Sequence, residues 1–236
     1  MDFKEREKKM PIPIVVEELF SLNPNSKISY YEDWVCIDDF YTNIDQIQSL
    51  FENMPVESWK MSKWSRNFKD YYDCRPAFAN WEPSKEMIDA RLEPLNRLVG
   101  RLVGWDDVAM EKSLAFNVFK HKKQKLPNTM QHHPHYDRNM VNILIYIDAV
   151  ADGGTALYEN EEIENREGAN LIVDVSKYKI KEIIPAKPNR CVIFSGNQLH
   201  GAYIENNDTY YDNWRITQAS IVRSATEMME LQGDIK

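Results

Sequence analysis

The chain has 236 residues, 43% of them hydrophobic and 28% charged, and carries a net charge of −8. That is the composition of an ordinary globular protein with enough length for one sizeable core. The acidic balance and the lack of a long basic block disfavour nucleic acid as a partner and favour a small molecule or peptide. No apolar run approaches the roughly 18 residues of a membrane span, and the charged start, MDFKEREKKMPIP, lacks the apolar centre of an export signal. Cys36, Cys74 and Cys191 are scattered and outside any CxxC pattern, as expected of reduced thiols in a cytoplasmic protein.

In chain order, residues 1–12 mix charge and proline and read as a flexible arm, followed by a single domain over 13–236. From Ile28, ISYYEDWVCIDDFY is rich in aromatic and β-branched residues and predicts one or two strands. A helix follows, capped by Thr42 or Asn43, with Ile44, Ile47, Leu50 and Phe51 at helical spacing. Residues 62–81, SKWSRNFKDYYDCRPAFANW, are dense in aromatic and basic side chains without periodicity. They read as a loop, serving either as a lid over a site or as packing against the core. A second helical region over Ser84 to Val103 carries the stripe Met87, Ile88, Leu92, Leu95, Leu98 and Leu102, with a kink at Pro94. Helical support thus spans about 42–104.

Beyond about Ser113 the pattern changes to short apolar or alternating runs: SLAFNVFKH, NMVNILIYID, GGTALYEN, ANLIVDV, KIKEIIPA, NRCVIFSG, HGAYIEN and WRITQASIVR. Strands of this length separated by Gly, Asn, Asp and Pro predict a β-sandwich or jelly roll over about 113–224, braced on one face by the preceding helices. The stretch ENEEIENREG, 159–168, reads as a solvated acidic loop.

QHHPHYDRN, residues 131–139, holds three of the chain's five histidines. In extended chain, side chains two apart share a face, so His135 and Asp137 can reach one ion; on a helix they would diverge. His133 and Asp137 would lie roughly 13 Å apart, too far to share an ion with bonds near 2 Å. The chelating pair is therefore His133 with His135, or His135 with Asp137. Downstream, His200 follows an apolar strand and a Ser-Gly-Asn turn, and Arg215 lies within a strand with Thr217 on its face. An arginine there either points to solvent or lies inside and requires an anion, because guanidinium does not deprotonate. Two histidines and one carboxylate leave positions open on a non-haem iron, whereas structural zinc is usually closed by four protein ligands; iron is preferred and zinc left open.

HYD at 135–137, one histidine some sixty residues later and an Arg-x-Thr strand after it resemble the HxD…H…RxS/T signature of the Fe(II)/2-oxoglutarate-dependent oxygenases. YIDAVADGGTALYE resembles the YLN…GG stretch of the prolyl-hydroxylase-like branch, and VCIDDFYTNIDQIQSLF the DDF strand and helix that precede its core. The resemblance implies a double-stranded β-helix of cupin-like type, with His135, Asp137 and His200 on Fe(II) and Arg215 on the distal carboxylate of 2-oxoglutarate. It places Thr217 and Tyr146 as further partners of that carboxylate. His133 becomes a pocket residue stiffened by Pro134, and His132 points away. The implied reaction is O2-dependent hydroxylation of a small molecule, amino acid or peptide, with release of succinate and CO2. Because Asp137 retains the carboxylate that related halogenases lack, hydroxylation is favoured over halogenation. Two departures stand out: the lysine found about ten residues beyond the second histidine in collagen-type prolyl hydroxylases is Tyr210 here, and Phe119 breaks the N-x-Y strand of the demethylating branch. The competing readings are a non-catalytic cupin-like metal- or ligand-binding module, and an oxygen-independent jelly-roll isomerase or hydrolase.

Overall fold

A computed structural model describes residues 20–52, 59–61, 71–76, 97, 99–100, 108–110, 115–121, 126–137, 140–159 and 172–224. The predicted arm, most of the 84–103 helix with its Pro94 kink, and the body of the acidic loop lie outside these residues. Within the second helical region, Arg97, Val99 and Gly100 are helical, and Val99 joins the core.

The first predicted strand segment forms a hairpin of β1 (Lys27–Tyr30) and β2 (Trp34–Asp38). Helix α1 (Ile44–Glu52) then begins where Asn43 supplies the carbonyl that accepts from Ile47 N; the Thr42 hydroxyl turns instead to Ser21 O. All eight predicted runs of the β-core contain strands. They are β6 (Ala115–His121), β8 (Val141–Tyr146), β9 (Gly154–Tyr158), β10 (Ile172–Asp174), β11 (Ile180–Pro185), β12 (Cys191–Ser195), β13 (His200–Tyr203) and β14 (Arg215–Ser224). Four strands went unforeseen: β3 (Trp59–Met61), β4 (Tyr71–Pro76), β5 (Val108–Met110) and β7 (Met130–His132). Strand β4 corrects part of the expected 62–81 loop: Tyr71–Cys74 pair with β6, so this part is sheet, not lid.

One large antiparallel sheet runs β1-β2-β12-β8-β14-β6-β4-β3, with β5 beside β14; a smaller layer holds β11-β9-β13 and β10-β7. Strict alternation assigns each face of the large sheet. On β8, Val141, Ile143 and Ile145 point outward, joined by Cys191 and Ile193 of β12 and Ile216 and Val222 of β14. The amphipathic face of α1, with Ile47 and Phe51, and the aromatics Phe20, Phe40 and Tyr41 cover this surface. The opposite faces supply Trp34, Cys36, Leu144, Tyr146, Val192 and Phe194, which meet Leu157 of β9 and Ile184 of β11. Each such side chain contributes roughly 1.5–3 kcal/mol by leaving water. Two layers of antiparallel strands closed over an apolar interior make a double-stranded β-helix, the cupin-like jelly roll. A short helix, α2 (Thr209–Asp212), precedes β14. Tyr210 within it is buried, donates its hydroxyl to Asp148 Oδ2 at 2.8 Å and accepts Asp152 N at 3.0 Å, which ties the loop after β8 to the entry of β14.

Candidate metal centre

The backbone brings the distant histidines together before any side chain is considered. His135 N donates to His200 O at 2.9 Å and His200 N to His135 O at 3.1 Å, so the two residues form a directly opposed antiparallel pair. Side chains of such a pair leave the same face side by side, and the imidazole centroids lie 4.4 Å apart. Two residues on, Asp137 returns to that face, held by Asp137 N donating to Gly196 O at 2.9 Å. Its Oδ2 lies 3.9 Å from His135 Nε2 and 3.3 Å from His200 Nε2.

Both rings expose the nitrogen a metal needs. His135 Nδ1 lies 3.1 Å from His133 O, and His200 Nδ1 lies 2.8 Å from Gln198 O. A carbonyl only accepts, so each Nδ1 carries the proton and each Nε2 keeps its lone pair. Burial, and next the proximity of the His200 ring, pulls the His135 imidazole down to about 4, which leaves it neutral at pH 7. Burial pushes the Asp137 carboxyl upward, but its interactions with the His200 and His135 rings and the Asn142 amide outweigh this and hold the group at about 2, so it is a carboxylate at pH 7. One donor atom from each residue falls within 4.8 Å of the others. An ion with bonds near 2.1 Å holds right-angled donors roughly 3.0 Å apart and tetrahedral donors roughly 3.4 Å apart. Side-chain rotation of roughly 1 Å closes the present triangle onto an ion, so the donor set fits a divalent metal. His200 is 6% exposed in its side chain against 27% for His135 and for Asp137, so the group faces solvent on one side.

At the other end of β8, Tyr146 stands directly opposite Thr217 of β14, and both are buried. Arg215 shares their face and is 5% exposed, which settles its direction as inward. Its Nη2 donates to Gly154 O at 3.0 Å and its guanidinium carbon lies 5.9 Å from the Tyr146 ring centroid. That carbonyl is presented by a tight Gly153–Gly154 corner with φ of 72° and 153°, where a side chain on Gly154 would strike Ile184 O. The Tyr146 hydroxyl lies 2.9 Å from Thr155 Oγ1. Burial raises the Tyr146 phenol above its ordinary range, so it acts as a neutral donor or acceptor.

The remaining expectations divide. The extension supposed for 133–137 is no continuous strand: β7 ends before it at His132, and within it His135 alone makes a bridge, to His200. His133 is buried, gives its carbonyl to His135 and sets Nε2 3.4 Å from Tyr178 OH, so it touches the donor group while staying outside it. Sequence reasoning missed Asn142, whose amide nitrogen lies 3.0 Å from Asp137 Oδ2 and 3.2 Å from His200 Nε2. An asparagine inside the apolar run VNILIY was the available signal. It also missed Thr155 and the carbonyl of Gln198.

No protein-family model matches the chain, and no curated protein matches it. Solved structures do resemble it. The non-heme alpha-ketoglutarate-dependent epimerase SnoN from nogalamycin biosynthesis superposes with a TM-score of 0.51 at 12% identity, over 82% of this chain and 79% of that one. EvdO2 from Micromonospora carbonacea var. aurantiaca gives 0.47 at 10% identity over 84% and 93%. HygX from Streptomyces hygroscopicus, with nickel and 2-oxoglutarate bound, gives 0.46 at 12% identity over 82% and 83%. At such identities the likeness is one of fold, and the SnoN match places the two-layered architecture among jelly-roll structures of that type.

Proposed function

We propose that the chain is an Fe(II)- and 2-oxoglutarate-dependent dioxygenase, built as one domain over 13–236, that hydroxylates a small molecule, amino acid or peptide. The observation that carries this reading is the coexistence of a His135–Asp137–His200 donor group and an inward, buried Arg215 on one interior face. A metal-binding module needs the first and has no use for the second. Asn142, which touches the donor group, and Tyr146, which lies under Arg215, are four residues apart on β8, about 13 Å at strand rise. An extended five-carbon dicarboxylate is roughly 5 Å between its end carbons, and with a metal–oxygen bond at one end and a hydrogen bond at the other it suits that separation.

Charge supports the same pairing. A divalent ion, one Asp137 carboxylate, one Arg215 guanidinium and a dicarboxylate sum to zero, so all four can be taken from water together where any one alone would be costly. Bound iron would supply the centre at which 2-oxoglutarate and O2 react to give succinate, CO2 and oxidised substrate. The chain's own tasks are to present two neutral imidazoles and one carboxylate and to anchor the distal carboxylate through Arg215 and Thr217. Tyr146 lends its hydroxyl to that anchor, and the apolar interior keeps water away. Within the superfamily we assign the chain to the prolyl-hydroxylase-like branch on its DDF and YID…GG stretches. Tyr210 in place of a lysine, used here to brace a loop, argues against a collagen-type cosubstrate anchor. The scattered thiols support a cytoplasmic setting; among the described residues no helix is long and apolar enough to cross a membrane.

The test is anaerobic addition of Fe(II) and 2-oxoglutarate. Wild type should develop a weak visible charge-transfer band that His135→Ala and His200→Ala lack, and on admitting O2 a panel of metabolites and peptides should stimulate succinate release. Wild-type protein that binds neither ligand refutes the proposal; metal binding with no succinate under any condition points to the non-catalytic module.

A further inference from the structure

Asn142 is placed by the alternation of β8: Val141 and Ile143 on either side enter the outer core, so its amide turns inward with Leu144 and Tyr146. It is 6% exposed and is held on a central strand hydrogen-bonded on both edges, to β12 and to β14. Asp137, by contrast, stands beyond the end of its strand segment with a quarter of its side chain in solvent. The fixed member of the pair is therefore the asparagine. Its Nδ2 lies 3.0 Å from Asp137 Oδ2 and 3.2 Å from His200 Nε2, so the two protons of one nitrogen are available to the two atoms. The nitrogen must be the atom that faces them, because an amide oxygen there would oppose both a carboxylate and an imidazole lone pair.

Resting on the reading of the triad as a metal centre, we propose that Asn142 is a positioning residue for it. Its amide holds the Asp137 carboxylate in the ligating rotamer and occupies the His200 Nε2 lone pair until an ion takes it. On loading, the bond to Asp137 persists and the bond to His200 is exchanged for the metal. An acidic group at this position would add to the ligand set, and an apolar one would leave the partly exposed carboxylate free to rotate toward water. The amide does neither, which preserves three protein ligands while holding the carboxylate among them.

The experiment is Co(II) titration of the whole 236-residue chain, followed by calorimetry and by the visible band that reports coordination number. Its four members are wild type, Asn142→Leu, Asp137→Ala and the double variant. Asn142→Leu keeps the volume and removes the donor, and should weaken Co(II) binding 10- to 100-fold, the usual effect of losing a group that orients a ligand. In the Asp137→Ala background the same substitution should change affinity less than about two-fold, since the carboxylate it acts on is gone. Asn142→Ala serves in the same cycle where leucine prevents folding. Equal Co(II) affinity in wild type and Asn142→Leu overturns the proposal, as does an equal loss in both backgrounds, which would mark a purely structural role. Wild type that takes up no Co(II) sinks the metal reading itself and is distinguishable from either.

Discussion

The tightest backbone contact at the candidate centre is at Gly196, and Gly196→Ala tests whether the position of Asp137 matters. Gly196 N donates to Met140 O at 2.8 Å and its carbonyl accepts Asp137 N at 2.9 Å, so it clamps the chain on both sides of the segment that carries the carboxylate. A Cβ here would lie 2.9 Å from both the Asp137 carbonyl carbon and Met140 O, and would overlap Asp137 O outright. Non-bonded atoms of this kind settle near 3.5 Å, so the segment must move away by roughly 1.5 Å. Overpacking costs about 1–3 kcal/mol, and weakening the two hydrogen bonds adds about 1 kcal/mol each at most. The variant should fold with a lowered melting temperature and bind Co(II) at least tenfold more weakly, because Asp137 no longer meets the imidazoles. Thermal unfolding and metal titration on the same preparation separate the two effects. Wild-type Co(II) affinity together with a lowered melting temperature would show that the clamp serves the fold alone and that the carboxylate position is unimportant.

Arg215→Leu should leave Co(II) affinity within about twofold of wild type while raising the 2-oxoglutarate concentration needed for the charge-transfer band at least a hundredfold, since a charge-assisted pair is lost; a parallel loss of metal binding would refute the division of labour along β8. A pH effect is expected far from the site. Arg190 grips Asp38 through Nε at 2.7 Å and Nη2 at 3.1 Å, and this hydrogen bonding holds the Asp38 carboxyl below its ordinary range despite partial burial. A depressed carboxylate contributes stability that is complete above its unfolded value, about 3.9, and is lost as pH falls through the lower folded value. Arg190→Met should therefore lower stability at pH 7 and flatten its decline below about pH 4; an unchanged acid limb in denaturant melts across pH 2–7 would count against the pair.

How much of this was legible in the sequence depends on the range over which each feature is encoded. Alternation is local, so Val141, Ile143 and Ile145 against Leu144 and Tyr146 declared both faces of β8, and the eight predicted runs became strands. The three-residue strands β3, β5 and β7 are too short to show a period. β4, YYDCRP, mixes aromatic, acidic and proline residues, and its place is set by its pairing with β6 and β3. His135 and Asp137 were readable because their relation is two residues long. Asn142 stood out only as a polar residue in an apolar run; its role exists once three separate segments converge, and Thr155 depends in the same way on β9 lying across from β8.

The same distinction explains why the candidate centre is a property of register more than of the residues taken singly. His200 becomes the partner of His135 because β13 is aligned with β9 so that His200 opposes Leu157 and Gly201 opposes Ala156. A slip of one residue would turn the imidazole to the other face of the layer and bring Gly201 into its place. Gly201 favours the observed register: a Cβ there would come within 3.3 Å of His132 O and 3.6 Å of the Pro134 Cα, a tight contact that would ask the backbone beyond β7 to give by a few tenths of an ångström. On the other flank, Leu199 is fully buried with Ala156 and Tyr158, and moving it outward would forfeit roughly 2 kcal/mol of apolar burial. The order Leu-His-Gly at 199–201 is thus a single instruction in three parts. The leucine sets the buried face, the histidine takes the opposite one, and the glycine lies against the segment that leads from β7 to the other two candidate ligands.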